Sequence, residues 1–308
     1  MFQLSKGQLL RIKEKKIDLE RDIQKITEQN LNAIFGVSLI KSELTIHNFR
    51  IDTLAFDDEK KSFVIIEYKR DKDFSVIDQG VTYLSLMLNN KSDFVLEYNE
   101  RKSTNLKRDD VDWSQSKIIF IADIFNQYQT GALGFKDLPI ELWQAKLFEE
   151  GIIVFSPLKS LIAPKATIKT VRKDYTAIDK VTKEVKIYNV EYHFKQEWKQ
   201  SKALYEKFRE QVMQLYPDIS ERFTKFYIAF IDENTNKSFV EIVSRKKGIK
   251  IYLRPSISKL KSPIIKLGDC SKIGHWTNGN TYFILSKEDE IPYSIELIKQ
   301  AYLILRKI

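Results

Sequence analysis

Two apolar runs separated by a short charged break constrain the fold of this chain more than any other feature. The first run, Arg50–Phe56, reads Arg-Ile-Asp-Thr-Leu-Ala-Phe, and the second, Phe63–Lys69, reads Phe-Val-Ile-Ile-Glu-Tyr-Lys. Apolar and β-branched runs on either side of a polar turn predict a β-hairpin. The second run is apolar at every position before Glu67, so we expect a central strand that is covered on both faces.

Charged residues interrupt this hairpin where a buried strand should not have them. Side chains alternate along a strand, so Glu67 and Lys69 share one face of the second strand. If Phe56 pairs with Phe63 across the turn, Asp52 lies directly opposite Glu67. Directly opposed side chains have Cβ atoms about 5 Å apart, and like charges there repel each other. The register therefore predicts an unfavourable pair of carboxylates.

A cation between the two carboxylates would relieve that repulsion. Hard oxygen ligands with room for water suit Mg²⁺ or Mn²⁺, and Lys69 would stand beside the ion. The alternative is a hairpin end that reaches solvent, where Asp52, Glu67 and Lys69 form a surface charge cluster. Because the charges interrupt an otherwise apolar strand, we favour a metal site with Asp52 and Glu67 as ligands.

A predicted helix precedes the hairpin and carries two acidic residues that could lie near the proposed metal site, Glu20 and Glu28. Apolar spacing predicts this helix over Lys16–Ile34, with Gly36 as its stop. Glu20 flanks the apolar stripe, and Glu28 lies two turns further on. Each of them could equally be a solvated helix carboxylate.

A second predicted helix, Phe74–Asn89, follows the hairpin. Gln79 and Tyr83 are spaced i, i+4 along it and therefore project together at the edge of its buried stripe. From there they could reach over the metal site towards a phosphate or a base. The alternative is an ordinary helix glutamine beside a core tyrosine.

The hairpin resembles the core of the PD-(D/E)xK nuclease superfamily in its Ile-Asp … Glu-x-Lys form. Ile51, Asp52, Glu67 and Lys69 carry this resemblance. Ile51 stands where the family name has proline, which is a common substitution in the family. The order of elements, a helix, the hairpin and a second helix, is also similar to that of the family.

Two further segments resemble particular branches of the superfamily. Gln79 and Tyr83 resemble the Gln-x-x-x-Tyr motif of the recombination-type helicase-nuclease and phage exonuclease branch, and so would position the nucleic-acid strand. Leu19–Ile23, followed by Asn30 and then by Arg50–Asp52 downstream, is similar to the nuclease domain of the mismatch-cleaving endonucleases of archaea and actinobacteria. The resemblance covers residues 16–158, about half of the chain.

The resemblance implies an α/β fold with a restriction-endonuclease-like mixed sheet flanked by helices, and it implies metal-dependent hydrolysis of DNA. In the family the first helix donates a further acidic residue to the metal site. The match places this residue at Glu20, with Glu28 as the other candidate. The backbone carbonyl of Tyr68 would be another metal ligand. Lys69 would orient the attacking water or stabilise the charged transition state.

The remaining chain divides into a basic connector and a second domain. The nuclease-like domain spans residues 1–158 and the connector residues 159–196, in which Val185–Val190 is predicted as a strand. Residues 197–308 show helical and strand patterns that predict an α+β domain. This domain resembles an uncharacterised domain at the end of bacterial proteins with the same nuclease fold, some of them described as predicted transport proteins. The matching segments are Tyr227–Phe230, Ile251–Leu253, Gly274–Trp276 and Ile298–Tyr302.

The net charge of +9 is unevenly distributed and points to a polyanion partner. Residues 1–158 carry 22 Lys and Arg against 25 Asp and Glu, which leaves 29 basic and 17 acidic residues in the rest of the chain. A net charge of +12 on one half favours nucleic acid as the partner. The resemblance to DNA-cleaving nucleases implies that this nucleic acid is DNA. Solvated lysine-rich faces are the alternative reading of the same numbers.

Composition excludes several other classes of protein. No apolar run approaches the roughly 20 residues needed to span a bilayer, so we expect no membrane association and a cytoplasmic location. The single Cys270 excludes an internal disulfide and a cysteine-based zinc site. Glycines occur in neither Rossmann nor Walker spacing, which argues against ATP use.

Three function classes stay open on the sequence alone. The favoured one is a metal-dependent DNA nuclease, more specifically an endonuclease, acting in DNA repair or in defence against foreign DNA. A non-catalytic module could instead use the same fold to hold nucleic acid or a protein. A transport accessory protein would bind no DNA. Cleavage of both strands of a duplex would favour a homodimer.

Overall fold

The structure is a computed structural model that describes residues 1–15, 20–69, 75–135, 138–159, 176–274 and 276–306. The chain forms two compact units, Met1–Lys186 and Ile187–Ile308. Several stretches of the sequence analysis lie outside the described residues: residues 16–19 at the start of the first predicted helix, Phe74 at the start of the second, residues 160–175 of the connector, and His275. No helix in the described part of the chain is long and apolar enough to cross a membrane.

The first unit combines a mixed β-sheet with helices on both of its faces. Its strands are β1 Phe2–Ser5, β2 Gln8–Arg11, β3 Glu14–Lys15, β4 Ser38–Ile46, β5 Phe49–Asp57, β6 Ser62–Lys69, β7 Lys117–Ala122, β8 Ile140–Phe148 and β9 Ile153–Pro157. Its helices are α1 Glu20–Gln29, α2 Leu31–Phe35, α3 Val76–Asn89, α4 Lys91–Lys102, α5 Gln127–Thr130 and α6 Thr176–Glu184.

Among the described residues, seven strands form one sheet in the order β3-β8-β7-β6-β5-β4, with β9 paired to β8. The strands β6, β7 and β8 run parallel, and their neighbours run antiparallel. The strand β6 therefore lies between an antiparallel and a parallel partner. The strands β1 and β2 pair only with each other among the described strands.

Alternating side chains of the central strands pack into two separate apolar cores, one on each face of the sheet. Leu54 and Phe63 pack under α3 and α4 on one face of the sheet. Val64 and Ile66 pack under α1 and α2 on the other face. Every side chain from Phe63 to Ile66 is fully buried, which confirms the prediction of a central strand covered on both sides.

The hairpin forms in the predicted register, with Phe56 opposite Phe63. The two rings also contact each other edge to face, with centroids 5.0 Å apart. The paired ladder continues as far as Thr53 and Ile66. The next position along each strand is then Asp52 on β5 and Glu67 on β6.

The single helix predicted over Lys16–Ile34 is wrong, because the chain breaks at Asn30. There α1 ends and α2 begins at Leu31. The Asn30 side-chain amide donates a hydrogen bond of 2.8 Å to the Ile26 carbonyl, and Asn30 itself is non-helical with φ −126°. An asparagine that bonds locally to the backbone competes with helix continuation. The predicted stop at Gly36 is confirmed, since it has φ 70°.

The strand predicted over Val185–Val190 is also wrong. The helix α6 ends at Glu184, and the short helix α7, Val190–His193, begins at the end of the predicted strand. The Asn189 side chain accepts a hydrogen bond of 3.0 Å from the Tyr192 amide, so it caps α7. The predicted helix Phe74–Asn89 is followed directly by a separate helix, α4, which contains Phe94–Tyr98.

The second unit is an antiparallel sheet with two long helices. Besides α7 it contains α8 Lys199–Met213, α9 Ile291–Leu305, β10 Ile219–Phe223, β11 Ile228–Asp232, β12 Lys237–Arg245, β13 Gly248–Leu253, β14 Gly268–Asp269 and β15 Thr281–Leu285. The strand order is β10-β11-β12-β13-β15-β14. Residues of α8 and α9 share one apolar core with the sheet. The predicted fold class, a mixed sheet flanked by helices followed by an α+β region, is confirmed.

Candidate active site

The candidate site lies at the end of the β5–β6 hairpin that is farther from its turn. Residues two apart on a strand share a face of the sheet, so Asp52 lies on the face of Leu54, and Glu67 lies on the face of Ile65. Leu54 and Ile65 belong to the core under α3 and α4, so both carboxylates lie on that face. The Asp52 amide donates a hydrogen bond of 3.1 Å to Glu67 Oε1. The Tyr68 amide donates one of 3.1 Å to Asp52 Oδ2. Each carboxylate is thus held by a peptide group of the opposite strand.

Lys69 completes the cluster on β6. Its Nζ lies 3.2 Å from Glu67 Oε2, while Glu67 Oε1 accepts the Asp52 amide. The Glu67 side chain is only 1% exposed and that of Lys69 is 19% exposed. The structure therefore brings Asp52, Glu67 and Lys69 together in a largely buried environment rather than on an open surface.

Burial and mutual repulsion raise the pKa of both carboxyl groups. The pKa of Glu67 rises to about 7, first because the group is buried and second because of the Asp52 charge; Lys69 opposes both effects. Burial likewise raises the pKa of Asp52, opposed by the Tyr68 amide and by Lys69. Near neutral pH the pair therefore binds a proton readily, and a bound cation would compete with that proton.

Two α3 residues lie over the same face of the sheet. The Tyr83 hydroxyl donates a hydrogen bond of 3.1 Å to the Arg50 carbonyl. The pKa of Tyr83 rises to about 12 because of burial and then because of the nearby negative charges of Glu67 and Asp52. Gln79 lies one turn earlier, and its Oε1 is buried without a hydrogen-bond partner among the residues the structure describes.

The two acidic candidates of α1 have different surroundings. Glu20, the exposed first residue of α1, is close enough for its charge to contribute to raising the pKa of Asp52. Glu28 Oε1 instead accepts hydrogen bonds from Thr53 Oγ1 at 2.5 Å and from Gln24 Nε2 at 3.1 Å. Glu20 therefore lies within range of the Asp52 charge, whereas Glu28 is hydrogen-bonded to Thr53 of the hairpin.

Tyr68 contributes to the site through its backbone, since its side chain packs on the opposite face of the sheet with Ile66. Its hydroxyl accepts a hydrogen bond of 3.3 Å from Thr53 Oγ1. Burial raises the pKa of that hydroxyl, opposed by the bond from Thr53 and supported by the charge of Glu28. The Tyr68 amide fixes Asp52, so the backbone at this position is already tied to the site.

Sequence reasoning missed Gln24. Its Nε2 donates a hydrogen bond of 3.0 Å to the Asp52 carbonyl and also reaches Glu28 on the same helix. The i, i+4 spacing of Gln24 and Glu28 was a signal that the two share a helix face. That spacing does not show which strand residue the face meets.

Comparison with known proteins places the whole chain in a family. An uncharacterised protein of Haemophilus influenzae is 42% identical over 302 residues, which cover 98% of both chains. The chain belongs to the family of that protein. Residues 190–304 match a family described as a domain of unknown function, DUF5655.

A solved structure, that of Pyrococcus furiosus SfsA in complex with Ca²⁺, shares 18% identity with this chain. The similar region covers 46% of this chain and 63% of SfsA, less than two thirds of its length, with a TM-score of 0.25. That similarity is too low to carry an argument about this protein.

The donor set suits a hard divalent cation. Asp52 and Glu67 supply carboxylate oxygens, and the Tyr68 carbonyl is a third oxygen of the same chemistry. No group of three or more His, Cys, Asp or Glu side chains arranged to hold a metal occurs in the described ranges. Mg²⁺ commonly binds through one or two carboxylates and keeps several waters, so a two-carboxylate site fits it. The buried, unpartnered Oε1 of Gln79 leaves a further oxygen donor on the same face.

Proposed function

We propose that this protein is a metal-dependent nuclease that hydrolyses phosphodiester bonds of DNA. The observation that carries the proposal is the pair of buried carboxylates, Asp52 and Glu67, held by each other's strands with Lys69 at 3.2 Å from Glu67. Bringing two carboxylates and a lysine together at the end of a central strand is unfavourable for stability alone. It is favourable where a cation and a phosphate bind.

Asp52 and Glu67, with the Tyr68 carbonyl and Glu20 nearby, would hold Mg²⁺ or Mn²⁺. When bound, that ion would lower the pKa of a water molecule and polarise the scissile phosphate. The peptide amides of Asp52 and Tyr68 keep both carboxylates aimed at the site without rearrangement. Such preorganisation is what electrostatic catalysis requires.

Lys69 has two roles in the proposed reaction. Before substrate binds, its ammonium balances the buried Glu67. With DNA bound, the same charge would stabilise the negative charge that develops on the attacked phosphate or orient the attacking water. Gln79 and Tyr83 would position the DNA strand from α3, where Tyr83 is already anchored to the backbone of Arg50.

A non-catalytic nucleic-acid-binding module is the second candidate, and one observation favours it. The ion pair between Lys69 and Glu67 lets the cluster balance its charge without a metal. This candidate predicts DNA binding that EDTA leaves unchanged and no cleavage under any condition.

A cleavage assay separates the two candidates. Wild type, Asp52→Ala and Lys69→Ala are incubated with linear and circular DNA, single- and double-stranded, with Mg²⁺, Mn²⁺ or EDTA. We expect metal-dependent cutting by wild type and a loss of at least about 100-fold in both variants, since each removes part of the charged transition-state environment. Lys146→Ala is the matched control, because Lys146 also pairs with a strand glutamate, Glu14. Undiminished cutting by Asp52→Ala would overturn the assignment.

A further inference from the structure

The segment after β7 leaves the sheet beside the candidate site. The strands β6 and β7 are parallel, and Lys69 lies opposite Ala122, the last residue of β7. Residues 123–135 therefore begin at the carboxyl edge where Glu67 and Lys69 lie. Ligands of α/β sheets bind beyond the carboxyl ends of the parallel strands. This loop thus flanks the place where substrate would lie.

Apolar packing and hydrogen bonds hold residues 123–135 in place. Phe125 and Leu133 pack against the core under α3 and α4, and Ala132 is buried in it. Within the loop the Asn126 amide donates a hydrogen bond of 2.8 Å to Gln129 Oε1, and the Gln129 amide donates one of 2.9 Å to Asn126 Oδ1. These reciprocal bonds fix the backbone of the turn that begins α5.

Tyr128 stands in the middle of this fixed turn with its side chain 92% exposed. Ile124, at the start of the same loop, is also exposed. Leaving a tyrosine ring in water forfeits the stabilisation that its burial would give. Phe125, Ala132 and Leu133 of this loop pack against the core, so the ring of Tyr128 is held in solvent on a rigid support that begins beside the candidate site.

We propose that Tyr128 stacks on an unpaired nucleobase of the strand that is cut at the Asp52–Glu67–Lys69 site. The inference rests on the proposed nuclease function and specifies its substrate as DNA with single-stranded character beside the scissile bond. A paired base inside a duplex already has neighbours on both faces, whereas an unpaired base offers a free face to an aromatic ring. Stacking of this kind is tolerant of sequence, because every base has such a face.

Binding measured without turnover tests the contact independently of cleavage. Wild type, Tyr128→Ala and Tyr128→Phe are titrated in EDTA with three DNAs: a single strand, a duplex with an unpaired bubble, and a fully paired duplex. Each DNA carries 2-aminopurine, whose fluorescence falls on stacking. Tyr293→Ala is the matched control, since Tyr293 is also an exposed tyrosine and lies on α9 in the other unit.

We expect Tyr128→Ala to weaken binding of the single strand and the bubble by about tenfold and to reduce the quenching. Tyr128→Phe keeps the ring and should stay within about twofold of wild type, as should Tyr293→Ala. Equal losses on all three DNAs, or none on any, would overturn the inference. If wild type cleaves normally while Tyr128→Ala behaves like wild type, only the stacking contact is wrong. If wild type cleaves nothing but stacking depends on Tyr128, only the nuclease activity is wrong.

Discussion

Glu67 is the residue at which burial and charge conflict most directly. It is almost fully buried, adjacent to Asp52, and balanced by Lys69. Its pKa of about 7 lies above the ordinary value of 4.5, so the folded protein holds this proton more tightly than the unfolded chain does. The folded state consequently binds more protons between about pH 4.5 and pH 7, and stability falls as pH rises through that window.

We therefore predict that Glu67→Gln reduces the pH dependence of stability. In EDTA, wild type should lose on the order of 1–3 kcal/mol of unfolding free energy between pH 5 and pH 8, and the variant should lose clearly less. Asp52 contributes in the same direction because its pKa is also raised. Urea unfolding at both pH values measures the effect, with Glu43→Gln on the exposed face of β4 as control. Parallel pH profiles for wild type and Glu67→Gln would contradict the prediction.

A divalent cation should reverse this loss of stability. A metal that binds only the folded state stabilises it by an amount that grows with metal concentration over the dissociation constant. Because metal and proton compete at Asp52 and Glu67, we expect Mg²⁺ or Mn²⁺ to raise the midpoint of thermal unfolding more at pH 8 than at pH 6. The shift should vanish in Asp52→Ala and persist in Lys146→Ala. An equal shift in Asp52→Ala would place the metal elsewhere.

At the residue scale, the sequence was informative wherever the relation between residues was local. Pairing of Phe56 with Phe63 follows from the hairpin alone, and it brings Asp52 to Glu67 without knowledge of any other element. The amide of Tyr68 as donor to Asp52 could not be predicted, because it depends on where the paired ladder ends. Roles in catalysis or metal binding stay predictions for all of these residues.

At the scale of elements, α1 acts on the hairpin through polar side chains as well as apolar ones. Gln24 bonds the Asp52 carbonyl, and Glu28 receives Thr53 Oγ1 at 2.5 Å. Ile23 of the same helix packs in the core with Val64 and Ile66, on the sheet face that α1 and α2 cover. Helical periodicity predicts that Ile23 is buried, but it does not predict the crossing position that brings Gln24 to Asp52. The break at Asn30 was likewise invisible, because apolar spacing continues across it.

Gln24→Ala should loosen Asp52 without removing any group that would contact substrate. We predict a loss of about 1 kcal/mol of unfolding free energy, as for one hydrogen bond. We also predict a fall in kcat with little change in KM, since the proposed defect is in the placement of a carboxylate. Lys25→Ala, an exposed neighbour on α1, is the control. A change confined to KM would show that Gln24 acts on DNA binding instead.

At the scale of the whole molecule, the two compact units were only partly visible in the sequence. The strands β11, β13 and β15 are apolar runs that can be recognised in the sequence. By contrast, β10 is largely polar and β14 has two residues, so neither shows a strand pattern. Strand order was not predictable, because alternation tells which face a side chain occupies but not which strand lies alongside. The charge asymmetry between the halves, by contrast, is a property of composition and needs no structure to be seen.

That asymmetry leads to a prediction about binding to DNA. If the basic part of the chain contacts phosphates, each contact releases counterions, and affinity should fall steeply with salt, with a slope of about −0.9 per contact on duplex DNA. Three exposed basic residues lie at the end of β12 and in the turn that leads to β13: Arg245, Lys246 and Lys247. The variant Lys246→Glu/Lys247→Glu reverses the charge of two of them. It should make the slope of log affinity against log salt concentration shallower by the amount expected for about one to two phosphate contacts.

The corresponding control is Lys25→Glu/Lys15→Glu, which reverses two exposed lysines in the acidic part of the chain. Fluorescence anisotropy with one duplex at several salt concentrations gives both slopes, and cleavage at saturating DNA reports the site separately. We expect the Lys246/Lys247 variant to retain the wild-type rate at saturation, because the turn contributes affinity and not chemistry. A wild-type affinity that does not respond to salt would remove nucleic-acid binding from the basic part of the chain, since long-range attraction to phosphates cannot be insensitive to screening.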